Sequence, residues 1–371
     1  MNKKKTLSDK PERPDYWLLG AALLLACFGL MMVLSASGIM AERFFDDKYL
    51  FFKKQAVFLA FGVFLMFISS KLPKSFFYNL VYVWLMVAFA LLFLCDFTPL
   101  SISAGGARRW IAMGPLRIQP LEFCKPALIL YLAYFFSRKQ EMIKSFSIGF
   151  LPPFAITGAL CLLLMLQPDF GGAVFLAMIL FFMSLVGGTR ISYLLTSLLF
   201  AGGAGYLLIT SSPYRLKRMT AFMDPFKSAH NEGYQLVQSL YAFGSGNIFG
   251  QGLGAGKQKL FFLPEAHNDF IMAVVGEELG FIGVAIVFLV IGFILWRGFK
   301  IALVQDHLQD RFTAYGLTIM LAIGFTLNLA VVMGTVPPKG VPMPFVSYGG
   351  SNMLISCICI GILLNLSRGK V

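Results

Sequence analysis

The residues of this chain best suited to chemistry are carboxylates and cations inside or beside long apolar runs. Burying charge in hydrocarbon is expensive, so such residues face partners or cavities. Glu122 and Lys125 stand three apart and share a face on a helix, where they either neutralise each other or work on a charged substrate. Asp169, in Gln167-Pro168-Asp169, falls at a tight turn and suits turn or cap duty. Asp269, Glu277 and Glu278 open and then enter another apolar run. On a helix Asp269 and Glu277 are about 80° apart around the axis and about 12 Å along it. That is too far for the paired carboxylates of a glycoside hydrolase, and Glu278 points about 180° from Asp269. A rim acid such as Asp269 serves a helix start or acts as a general base, and spacing alone leaves both open. His267 is a candidate proton carrier, expected to position a neighbour. With 3 His in the chain, no metal cluster can be argued around it.

The run Gly250-Gln251-Gly252-Leu253-Gly254-Ala255-Gly256-Lys257, preceded by Gly244-Ser245-Gly246, invites a phosphate-loop reading and fails it. Gln251 stands where the first Gly belongs, and Gln258 follows the Lys where Ser or Thr is required, so no nucleotide is expected. Backbone amides beside Lys257 and Lys259 can still hold an anion, or the run is simply a turn-rich loop. The 6 Cys lie in or at the ends of apolar segments without a CxxC and read as small hydrophobes.

The elements that must position these residues are membrane spans. Of 371 residues 58% are apolar and 13% charged, with a mean hydropathy of +0.75, against about 25% charged in soluble domains. That excludes a soluble enzyme. The formal charge of +13 reads as membrane topology and contact with anionic lipid or pyrophosphate, since no basic motif interleaved with aromatics points to nucleic acid. A span needs about 20 mostly apolar residues, and ten candidates appear: 16–37, 55–70, 76–95, 120–136, 147–166, 171–187, 191–209, 268–296, 312–334 and 345–366. Ten spans put both termini on one side. Lys3, Lys4, Lys5, Lys10 and Arg13, joined by Lys71, Lys74, Arg138, Lys139, Lys144, Arg190, Arg297, Lys300, Arg311, Arg368 and Lys370, make that side cytoplasmic. The chain divides into a basic tail at 1–15, a single membrane domain at 16–366 and a C-terminus at 367–371, with no internal repeat. The segments 96–119 and 210–267 fall on the outer face and are too long and polar for mere connectors.

Several segments, in chain order, resemble the SEDS family of shape, elongation, division and sporulation proteins. They are Gly106-Ala107-Arg108-Arg109-Trp110-Ile111 with Gln119-Pro120-Leu121-Glu122-Phe123-Cys124-Lys125, Gln167-Pro168-Asp169-Phe170-Gly171, and Lys257 to Ile271 continuing into Gly276-Glu277-Glu278-Leu279-Gly280. The closing stretch from Pro337 to Ser351 holds Lys339-Gly340, Pro344 and Ser347-Tyr348-Gly349-Gly350. Asn268, Leu121 and Asn352 depart from the usual pattern without removing a charge. The phrasing is closer to the family's division branch than to its elongation branch.

The resemblance implies an all-α fold of ten transmembrane helices with a large extracytoplasmic loop. It also implies a peptidoglycan glycosyltransferase that polymerises lipid II at the outer face of the bacterial plasma membrane, at the division septum. Asp269 becomes the catalytic base, and Arg109, Lys125, Lys257, Lys259, His267 and Ser347 become substrate-binding residues, with Glu122 holding Lys125. Trp110, Gln119, Pro120, Asp169, Glu277, Glu278, Pro344, Tyr348, Gly349 and Gly350 complete the motifs. Mg2+ or Mn2+ is the ion that commonly bridges such phosphates, although no ligand cluster is visible in the sequence. Expected partners are lipid II, the nascent glycan, a class B penicillin-binding transpeptidase and other divisome proteins. A lipid II flippase and a non-catalytic divisome scaffold are the rival readings.

Overall fold

A computed structural model describes residues 13–368, apart from 100, 105, 106, 115, 232 and 261. The basic tail before Arg13, Lys370, and Gly106 and Phe261 of the motifs lie outside the described residues. The helices are α1 (Tyr16–Phe45), α2 (Leu50–Lys71), α3 (Lys74–Asn79), α4 (Val81–Phe97), α5 (Pro120–Arg138), α6 (Leu151–Leu166), α7 (Phe170–Gly187), α8 (Ile191–Thr210), α9 (Pro213–Met223), α10 (Tyr234–Gly246), α11 (Ile271–Leu303), α12 (Leu308–Val332) and α13 (Gly350–Ser367). Among the described residues eight helices are long and apolar enough to cross a membrane, α6 counting with the π turn Phe146–Phe150 that precedes it. The shorter apolar α4 is a ninth span, and α5 is the tenth because it lies in the centre of the bundle despite Glu122 and Lys125.

Local chemistry sets the ends. Asp15 caps α1 by accepting from the N–H groups of Trp17 and Leu18, both at 3.1 Å. Pro120 starts α5, where a missing N–H costs nothing. Asp169 caps α7 through Gly172 N–H at 3.1 Å, and Gly188 ends that helix in the left-handed conformation. The apolar windows of α12 and α13 are 72% buried and that of α8 only 6%. The core therefore runs through α5, α12 and α13, while α8 stands at the lipid-facing edge. Polar groups tie the end of the bundle that carries both termini. Arg297 clamps Asp15 at 2.6 Å, Ser367 accepts from Asp15 N–H, and Lys74 and Tyr78 both donate to Asp310.

The structure refines three expectations. The segment 96–119, expected to be more than a connector, is the one part of the helical fold that forms strands among the described residues. It folds as an antiparallel sheet in the order β1 (Ser101–Ala104), β2 (Ala107–Met113), β3 (Leu116–Ile118). Ile102 pairs with Trp110 and Ile111 with Ile118, and these partners let a polar stretch satisfy its own backbone groups at the bundle's edge. The segment 210–267 contains α9 and α10. The last span begins at Gly350 rather than 345, because 343–349 is a turn whose Val346 and Ser347 amides bond Met343 O.

Candidate active site

Asp269 stands at the head of α11, at the end of the bundle opposite the termini. The approach to it is wound into successive turns, with Leu263 N–H on Gln258 O at 2.8 Å and Asn268 N–H on Glu265 O at 3.0 Å. Leu263, Ala266 and Phe270 pin those turns by burying their side chains. From α12, Asn328 donates one amide hydrogen to Asp269 O and another to Val341 O, both at 2.8 Å. That side chain brings the α12–α13 loop against Asp269, so closely that a Cβ on Gly340 would lie 2.8 Å from Asp269 Oδ2. Among the described residues no donor bonds the carboxylate. Burial pushes it up to about 7, the negative charge of Glu265 adds to the rise, and Arg109 opposes it.

Two cations meet at the neighbouring Asp169, and one of them, Arg109, also acts on Asp269. Arg109, on β2, donates Nη2–H to Pro168 O at 2.7 Å and holds its Nε 3.8 Å from Asp169 Oδ1. Lys339, from the α12–α13 loop, lies over the Phe170 ring with its Nζ 4.5 Å from the centroid. Burial pulls its ammonium below the ordinary lysine range, and the nearby Asp169 charge works the other way. Asp169 thus serves three parts at once: it caps α7, faces Arg109 and feels Lys339. Arg109, Lys339, Asp169 and Asp269 form a rim cluster of two cations and two acids. Such a cluster can hold a doubly charged phosphate between the cations while Asp269 accepts a proton.

The remaining candidates divide between this rim and the interior. Glu122 and Lys125 pair at 2.7 Å with almost no exposure; Asn352 also donates to Glu122 at 3.4 Å, and Lys125 sits over Phe175. Trp110 is half-buried on β2, and Gln119 N–H donates to Ser351 Oγ, joining the start of α5 to α13. His267 is packed between Phe51 and Tyr348 and accepts from Tyr348 N–H through its carbonyl; burial lowers its pKa, with the Glu265 charge working the other way. Ser347 is buried and its hydroxyl oxygen accepts from Met343 N–H. Gln55 binds Ser347 O and Gly349 N–H, Pro344 packs against Gly324, and Gly350 against Phe58. Lys257 is exposed, whereas Lys259 is buried on Glu278 at 2.6 Å. Amides of the glycine-rich run are taken by Glu277 and Glu278, not by a site open to an external anion.

Two residues escaped a reading from spacing. Lys339 enters only as a member of the closing motif, and Asn328 not at all, although a lone Asn inside an apolar span is the signal that marks it. Among the described residues no three of His, Cys, Asp and Glu converge on a point. The acids at the rim face cations instead, so the donor set does not fit a resident Mg2+ or Mn2+. A cleft of about 710 Å3 lies at the opposite end, between Lys74, Tyr78, Arg138 and the start of α12, and shares no residue with the rim cluster.

A ten-span helical bundle with acids and cations gathered at one rim defines a polytopic membrane protein. Residues 16–370 match the model of the Cell cycle protein family that joins FtsW, RodA and SpoVE, and the chain belongs to that family. A Trichlorobacter lovleyi protein named "Probable peptidoglycan glycosyltransferase FtsW" is 42% identical over 96% of this chain and 93% of its own. Stage V sporulation protein E of Bacillus subtilis is 40% identical over 98% of this chain and 99% of its own. Among solved structures, a chain from a peptidoglycan synthase complex that coordinates polymerization and crosslinking superposes with a TM-score of 0.77 at 26% identity, over 95% of this chain and 97% of that one. The rod shape determining protein RodA of Thermus thermophilus superposes at 0.68 and 27% identity, over 96% and 98%.

Proposed function

We propose that this protein is a peptidoglycan glycosyltransferase of the division branch, polymerising lipid II at the outer face of the plasma membrane with Asp269 as general base. The observation that carries the reading is the placing of Asp269. It is a crowded carboxylate with no hydrogen-bond donor among the described residues, at the rim, acted on by the Arg109 charge and packed against Gly340, the residue after Lys339. The name shared by several relatives, probable peptidoglycan glycosyltransferase, supplies the substrate class. Glycan extension needs one base, which takes the proton of the acceptor sugar's 4-hydroxyl as that oxygen attacks the donor's anomeric carbon. The donor's lipid pyrophosphate leaves, and it needs electrostatic help more than protonation. Arg109 and Lys339 supply that help, with Asp169 holding Arg109 in place. A single displacement inverts the α-linked donor to a β-1,4 product, and no second carboxylate takes part. Glu122 holds Lys125 beneath the rim.

The positive charges near the spans favour cytoplasmic termini, and in that orientation the Asp269 rim faces outside. A crosslinking partner, by likeness to the synthase complex, is a class B penicillin-binding transpeptidase. The test is purified protein with labelled lipid II, alone and with that partner. Glycan ladders formed without a membrane gradient are the expected result. Translocation of lipid II in sealed vesicles without ladders would make the protein a flippase instead.

A further inference from the structure

Helix α11 is not one rod. At Gly280 its backbone takes φ 65° and ψ −164°, a conformation essentially reserved to glycine. The groups freed by the break are bonded by a remote segment. Gln251 and Gly252 donate their N–H groups to Glu277 O and Glu278 O at 2.9 and 3.0 Å, and Phe281 and Ile282 donate theirs to Asn247 O and Ile248 O at 2.9 and 3.1 Å. Approach is so close that a Cβ on Gly250 would lie 2.2 Å from Glu278 O.

Side chains complete the join. Glu277 accepts from the N–H groups of Lys257 at 2.7 Å and Gln258 at 3.2 Å. Glu278 accepts from Gly254 N–H at 3.1 Å and from Lys259 Nζ at 2.6 Å. Ser35 of α1 donates to Glu278 at 2.7 Å and accepts from Lys259 at 3.1 Å. The glycine-rich run is therefore an anion cradle whose anions are the protein's own glutamates.

Lys259 and Glu278 are 19 apart in sequence, and Asp269 stands midway between them. Their ion pair closes a loop whose apex is the rim acid. A pair with side chains 3% and 0% exposed is a poor source of stability, since apolar replacements often serve as well or better. It is a good source of a unique geometry.

We propose that Lys259 and Glu278 are positioning residues whose ion pair fixes the loop that holds Asp269 against Gly340. The proposal rests on the reading of Asp269 as the base. Its test uses the full chain, purified, carrying Lys259→Met, Glu278→Gln, both together, or Lys259→Arg. The double variant leaves no uncompensated buried charge, so it folds where a single one does not.

Opening the loop exposes residue 269, and labelling of Asp269→Cys by a membrane-impermeant maleimide should quicken about tenfold or more when Lys259→Met and Glu278→Gln are added. That readout uses no catalysis, so an active Asp269→Asn enzyme would remove the base reading and leave the positioning result standing. In the chain with Asp269 intact, kcat should fall about 10–100-fold with little change in KM, as misplacement of a reacting group does. The acid-side midpoint of the rate should move down from about 7, because burial is the main cause of its height. Lys259→Arg should restore most of the rate. Folded variants with unchanged labelling and an unchanged midpoint would overturn the proposal.

Discussion

A carboxylate that must take a proton near neutral pH gains basicity from being crowded, and only its ionised form works. With burial holding Asp269 at about 7, the rate should climb as pH rises and level off above that value. At pH 5 only about one hundredth of the carboxylate is ionised, and the rate should be down by about that factor. Glu265→Gln removes the like charge that raises Asp269, so the midpoint should move to lower pH in a titration of kcat. A profile flat from pH 5 to 8 would leave Asp269 without the base role. Glu122 and Lys125 are a separate matter, a buried pair at 2.7 Å. Losing one partner strands a charge and costs about 3–5 kcal/mol, while losing both is milder. Unfolding of Glu122→Ala, Lys125→Ala and the double variant should therefore be far from additive, and additive losses would reject the coupling.

Helices decide how much of this was readable beforehand. Most spans announced themselves by hydropathy, whereas α5, carrying Glu122 and Lys125, is marked as a span more by its central place in the bundle. The sheet did not, since its strands are three to seven residues long, without clean alternation. The break in α11 was equally hidden: Gly280 sits in an apolar run that reads as one helix, and its partners are backbone groups of residues 247–252. At this element the expected outcome is plain. A methyl at Gly280 would lie 2.4 Å from Gly250 N, and φ 65° adds strain of order 1–3 kcal/mol for any other residue. Gly280→Ala should lower the melting temperature of the solubilised protein. Ala at Gly292, with nothing within 4 Å of its Cβ, should not. Equal melting of the two would refute the kinked description.

For the whole molecule, the bundle brings β2, the cap of α7, the head of α11 and the α12–α13 loop to one rim. The family resemblance, not spacing, pointed to Asp269 and Arg109, and it could not bring Lys339 to that rim, since 230 residues separate Arg109 from Lys339 and only the fold gathers them around Asp169. The orientation of that rim is open to a direct check. Lys227, in the segment between α9 and α10 with its side chain 85% exposed, should react as Lys227→Cys with an impermeant maleimide on intact cells. Reaction only after permeabilisation would put the site on the wrong face. The most direct test of the account is the rate of glycan polymerisation by purified protein carrying Asp269→Asn, which keeps size and polarity and removes the basic oxygen. Insertion and partner binding should be normal while polymerisation falls about 10²–10⁴-fold. The Asp269 carboxylate caps no helix N–H, so a fully active Asp269→Asn protein would leave it without a chemical role and contradict the mechanism.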